Sequence, residues 1–111
     1  MYSFSLRYII ILGLFLSIFP ALSVHAHKVN VFAYVEDGKI HIESYFPDGK
    51  AVERGVIEIL DSQSRKVAEG VTDKEGKCVL SIPEKDDLTI VINASMGHKN
   101  TYLLKKEELG E

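Results

Sequence analysis

His27 stands where a small-residue cleavage pattern meets the first strand-like stretch, in Val24-His25-Ala26-His27-Lys28-Val29-Asn30-Val31. Cleavage after Ala26 leaves it as the first residue, with a free α-amine and an imidazole Nδ1 that can close one chelate ring on a metal ion. An α-amine sheds its proton close to neutral pH, so an ion displaces that proton at modest cost. His98 follows Met96-Gly97, which sets a soft thioether beside a second imidazole. His41 and Glu43 sit two residues apart, a spacing that directs both side chains to one face of a strand. Amine and imidazole nitrogens suit Ni(II), Co(II) and Cu(II). Cu(II) binds tightest at any generic site of this kind, so the affinity order alone does not name the metal. Each residue also has a plainer reading. His27 is then an exposed terminal side chain, His98 a turn residue with Met96 filling core space, and His41 and Glu43 a solvated strand face.

Other chemistry finds little support. There is no supported Ser/His/Asp arrangement, no glycine-rich phosphate loop and no HExxH-type pair, so the chain reads as a non-enzyme. Its carboxylates fall in turns, where solvated charge is the ordinary outcome. Cys78 is the single cysteine, which rules out an internal disulfide, and it alternates with Leu80 and Ile82 on a core face. A buried, inert thiol is the expectation.

Residues 1–26 read as a secretory signal. Arg7 is the charge of the n-region, and the apolar run Tyr8 to Phe19 has 12 residues, inside the range of about 7–15 for an h-region. Pro20 ends it, and Val24 and Ala26 occupy the small-residue positions before the cut. A second cut after Ser23 would start the chain at Val24. An uncleaved anchor is the alternative, but a bilayer asks for roughly 20 apolar residues. Removal of the leader leaves residues 27–111 as one small domain in the periplasm or another extracytoplasmic space. That domain has 12 Lys and Arg against 16 Asp and Glu, a formal charge of −4. An acidic domain with scattered lysines and no basic aromatic patch is a poor nucleic-acid binder.

The elements that position these residues are strands. Val29, Val31, Ala33 and Val35 alternate with Lys28, Asn30, Phe32 and Tyr34, and Asp37-Gly38 then marks a tight hairpin. The returning strand carries Ile40, Ile42, Ser44 and Phe46 on one face and His41, Glu43 and Tyr45 on the other. Pairing brings Phe32, Tyr34, His41, Glu43 and Tyr45 to one outer surface. Further strands are predicted at 56–60, 66–71, 78–82, 88–94 and 98–104, each bounded by Gly, Pro, Asp or Ser. The sixth is apolar enough to be central. Residues 105–111 read as a charged, frayed tail, with a turn of helix at most over 102–109. Seven short strands with a turn between each predict an all-β, seven-stranded antiparallel β-sandwich.

Three groups of residues carry a resemblance. Phe46-Pro47-Asp48-Gly49-Lys50-Ala51, Val56-Ile57-Glu58-Ile59, Gly70-Val71-Thr72-Asp73-Lys74-Glu75-Gly76 and Ile82-Pro83 resemble the carboxypeptidase regulatory-like (transthyretin-like) sandwich. Ala26-His27-Lys28-Val29-Asn30-Val31-Phe32-Ala33 is similar to the mature start of small exported accessory components of nickel and cobalt energy-coupling-factor uptake systems. Ile42-Glu43-Ser44-Tyr45-Phe46-Pro47-Asp48-Gly49 and Val91-Ile92-Asn93-Ala94-Ser95-Met96-Gly97-His98-Lys99 resemble segments of the same group. The resemblance implies Ni(II) or Co(II) as bound cargo, and the residues' own chemistry and spacing make His27 the first candidate ligand, His98 the next, and His41 and Glu43 those behind them. It also implies membrane nickel/cobalt transporter components as partners. Many such relatives are expected to carry a C-terminal membrane helix, and the sequence to Glu111 contains no such run, so membrane association is expected only through a partner or an uncleaved leader. The competing expectation is a metal-free structural or protein-interaction module of the cell envelope.

Overall fold

The computed structural model describes residues 29–110. Seven strands form two antiparallel sheets: β1 (Asn30–Glu36), β2 (Lys39–Tyr45), β3 (Val56–Leu60), β4 (Lys66–Val71), β5 (Lys77–Ser81), β6 (Leu88–Asn93) and β7 (Lys99–Leu104). One sheet has the order β1-β2-β5 and the other β4-β3-β6-β7. The leader, its cleavage position and His27 lie outside the described residues. Among the described residues no helix is long and apolar enough to cross a membrane.

Period-two patterning explains both layers. Val31 and Ala33 of β1, Ile40 and Ile42 of β2, and Cys78 of β5 point inward against Ile57, Ile59, Ile90 and Ile92 of the other sheet. Each fully buried isoleucine stabilises the fold by about 1.5–3 kcal/mol relative to an exposed one. Burial pushes the Cys78 thiol above its ordinary value, which fits an inert group. The β1–β2 hairpin turns on Asp37 and Gly38, both at positive φ (54° and 72°), the geometry that matches strand twist. Register then sets Tyr34 opposite His41 and Phe32 opposite Glu43.

The sheets meet along β1 and β7, where the Asn100 side-chain amide donates to the Val29 carbonyl at 2.9 Å. Ser44, also buried, donates to the Asn30 carbonyl at 2.7 Å. At the opposite corner Gly70 of β4 lies close against Cys78 and Leu80 of β5.

The charged tail differs from expectation. Lys106–Leu109 form a 3-10 turn and Leu109 is 3% exposed, packed on the core. Glu108 accepts the Lys105 N–H at 2.7 Å, and Asp87 accepts that of Lys106 at 2.8 Å. One buried leucine among charged neighbours is enough to dock the segment, yet it leaves no periodic pattern to read.

Candidate functional site

The residues singled out for metal chemistry fall in two places. One is an end of the sandwich, where β1 starts, β2 finishes and the β6–β7 turn closes. There Asn30 pairs with Tyr45, and the next residue, Phe46, meets the His98 ring edge-on at 6.2 Å and 76°. The Asn100–Val29 hydrogen bond ties the start of β7 to the same spot. Stretches of chain near residues 29–33, 42–49 and 91–99, far apart in sequence, therefore converge. The Ala94 N–H donates to the His98 carbonyl at 2.7 Å and closes the turn that presents Met96. His98 is half-buried, and its ring has no hydrogen-bond partner among the described residues.

Met96 does not fill core space. It is 91% exposed, with φ 61° and ψ 28° in the left-handed region. A side chain whose backbone points it out of a tight turn has no neighbours to pack against.

The second place is the outer face of the β1-β2-β5 sheet. His41 stacks on Tyr34, with ring centroids 5.1 Å apart and planes 9° from parallel. Its Nε2 lies 3.3 Å from the Glu36 carbonyl, so the tautomer with the proton on Nε2 donates there. Glu43 accepts the Tyr45 hydroxyl at 2.7 Å, and this bond to the carboxylate pushes the Tyr45 phenol above its ordinary value. His41 and Glu43 do share a face, as alternation requires, but each is engaged with a different neighbour. His41 also stands five residues before Phe46, roughly 17 Å along an extended strand. It does not join His98.

Among the described residues, the group of three or more His, Cys, Asp or Glu ligand atoms close enough for one ion contains no histidine. It is Asp61, Glu84 and Asp86, with ligand atoms within 4.8 Å of one another. Sequence reasoning missed this grouping, because it depends on the β3–β6 register that sets Leu60 opposite Thr89. Two of its three carboxylates already have donors. Asp61 is buried and accepts the N–H groups of Gln63 and Arg65 at 2.9 Å each, and the Arg65 Nε at 3.0 Å. The Arg65 backbone N–H is the chief reason that its carboxyl sits below the ordinary value; burial opposes the shift, and Gln63 and the guanidinium add to it. Asp86 accepts the Ser62 N–H at 3.0 Å and the Ser62 hydroxyl at 2.8 Å, and the backbone N–H leads in lowering its carboxyl too. The arrangement fastens the 61–65 turn to the 84–87 connection.

The three metal-directed positions within the described residues thus split between an end and a face, and the end holds the less engaged imidazole. No protein-family model matches the chain, and no curated protein matches it. Among solved structures, the chain is similar to the crystal structure of native alpha-2-macroglobulin from Escherichia coli spanning domains NIE-MG1. The TM-score is 0.64 at 14% identity, covering 70% of this chain and 37% of that one. The chain spans little more than a third of that structure, and at this identity the likeness is one of fold: a β-domain of seven strands in two antiparallel sheets.

Proposed function

We propose that this chain is an exported accessory protein of nickel or cobalt uptake, which binds the ion and presents it to a membrane transporter. The observation that carries the reading is the convergence at one end of the sandwich. The three stretches that resemble uptake components meet there, beside an imidazole with no hydrogen-bond partner among the described residues. In the sequence His27 precedes by two residues Val29, whose carbonyl is held by Asn100. His27, once freed by cleavage, supplies the amine and imidazole chelate, and His98 is the next nitrogen ligand. The process is binding and hand-over, without bond chemistry. Nitrogen donors fit Ni(II) and Co(II), and a site at the end of the domain leaves the ion open to ligand exchange with a partner.

A metal-free interaction module of the envelope is the second reading. The outer sheet face favours it, since Phe32, Tyr34 and Val79 are 41%, 40% and 50% exposed around the His41 stack.

The test is a calorimetric titration of residues 27–111 with Ni(II) and Co(II). All seven strands and the core belong to this segment. A native His27 terminus is compared with the same protein carrying one extra glycine. Tight binding abolished by the glycine is expected. No binding in either form overturns the metal reading and leaves the interaction module.

A further inference from the structure

The β6–β7 turn carries a methionine that folding does not explain. Met96 is almost fully exposed, so its side chain adds no packing to the core. Its backbone is left-handed, a conformation that L-residues adopt at a cost and that favours glycine, asparagine and aspartate. The other non-glycine residues with positive φ among those described are Asp37, Arg54 and Ser64, all polar. An apolar side chain held there and presented to solvent is out of keeping with every local preference, and such departures gather at functional positions.

Two features give the thioether a use. Two residues on, His98 has a ring without hydrogen bonds among the described residues, shielded on one side by Phe46. Gly97 lies between them at φ 76°, and apart from these two chain neighbours no heavy atom comes within 4 Å of where its Cβ would be, so no other element crowds the turn. The Ala94–His98 backbone bond fixes the loop that spaces the two groups.

We propose that Met96 Sδ and a His98 ring nitrogen form a binding site for a soft monovalent cation, Cu(I). A thioether is a soft, neutral donor that selects Cu(I), whereas Ni(II) and Co(II) bind more readily to imidazole, amine and carboxylate. The thioether sulfur carries no proton for the ion to displace. The site shares His98 with the uptake reading but does not use the terminal amine, so extension of the terminus separates the two.

Residues 27–111 contain a single methionine, Met96, so a preparation labelled with 13C-methyl methionine and bearing a native His27 terminus has one methionine methyl resonance. Anaerobic addition of one equivalent of Cu(I) should shift that resonance. Competition with a chromophoric Cu(I) chelator should show at least tenfold weaker binding in Met96→Leu and in His98→Ala. An extra glycine before His27 should change the affinity less than twofold. Met96→Leu alters an exposed side chain, and an unchanged Tm verifies its fold. An unmoved methyl resonance, equal affinity in Met96→Leu, or loss of Cu(I) binding on glycine extension would each overturn the proposal. The last outcome would assign Cu(I) to the terminal chelate instead.

Discussion

The turns at 61–65 and 73–77 and the turn at 94–98 solve one problem in two ways. In each, the first residue's N–H donates to the carbonyl four residues on, at 2.9, 2.9 and 2.7 Å. A left-handed residue completes the loop: Ser64, Gly76 and, in the third, Met96 with Gly97. The first two open on aspartate. Oδ1 of Asp61 accepts the N–H groups of Gln63 and Arg65, and Oδ1 of Asp73 accepts those of Glu75 and Lys77. The third opens on Ala94, which offers no side-chain acceptor. Two turns are anchored by their own carboxylates; the third has no such anchor and presents Met96 to solvent beside His98. The 73–77 turn stands at the same end of the sandwich as the 94–98 turn, held there by the Ser44 N–H donating to the Gly76 carbonyl at 2.9 Å, so an anchored and an unanchored turn share the end where three distant stretches meet.

The largest effect that separates these turns should come from their glycines. A Cβ on Gly76 would run into the Ser44 carbonyl and lie 3.2 Å from both the Ala51 Cβ and the Val52 nitrogen, at a φ of 76°. Gly97 has the same φ with nothing within 4 Å. Gly76→Ala is expected to cost about 3 kcal/mol, from left-handed strain plus overpacking, and Gly97→Ala about 1 kcal/mol, from strain alone. Urea unfolding of both variants measures the difference. Equal losses would mean that the anchored turn is no tighter than the open one.

Next in size is Asp61→Asn, which removes the charge from a buried group with three donors. A fall in Tm on the order of 10 °C at neutral pH is expected. Because the folded-state pKa of Asp61 is lowered, the unfolded chain binds its proton first as pH falls. The contribution is complete above the ordinary aspartate value and is lost as pH drops below about 4 through the folded value. Asp73 shifts in the same direction, led by the Lys77 N–H. Urea midpoints from pH 7 to pH 2 should therefore fall less steeply in Asp61→Asn than in the native chain. Parallel profiles would remove Asp61 from the acid response.

How much of this could be read from residues alone follows from the range of each signal. Alternation and turn chemistry are local. They place seven strands within a residue or two of their observed limits, the hairpin on Asp37-Gly38, Cys78 in the core, and His41 and Glu43 on a shared face. Pairing between distant strands is not local. That His98 stands beside the start of β1 and away from His41 depends on how β7 closes against β1, and no spacing encodes that closure. The Asp61–Glu84–Asp86 grouping was hidden for the same reason. Leu109 and Met96 show the limit from the other side. A lone leucine in Lys105-Lys106-Glu107-Glu108-Leu109 is buried, and a lone methionine that the plainer of its two readings puts in the core is exposed. Single apolar residues in turns carry no period, so their burial is set by tertiary contacts alone.

The smallest predicted effect addresses whether the open turn is under strain for a purpose. Met96→Gly removes a left-handed side chain from a position with no packing to lose, at 91% exposure. Relief of the backbone penalty favours the folded state, while the added freedom of glycine in the unfolded chain opposes it. The expected balance is a gain of up to about 1 kcal/mol, read as a Tm higher by a few degrees in residues 27–111. The same change deletes the thioether, so Cu(I) affinity should fall at least tenfold while Tm rises. A variant that is both more stable and unable to bind identifies Met96 as a residue retained against its local preference. A variant that loses stability would mean that the methionine supports the turn through contacts formed in solution, and the comparison with the aspartate-anchored turns would fail.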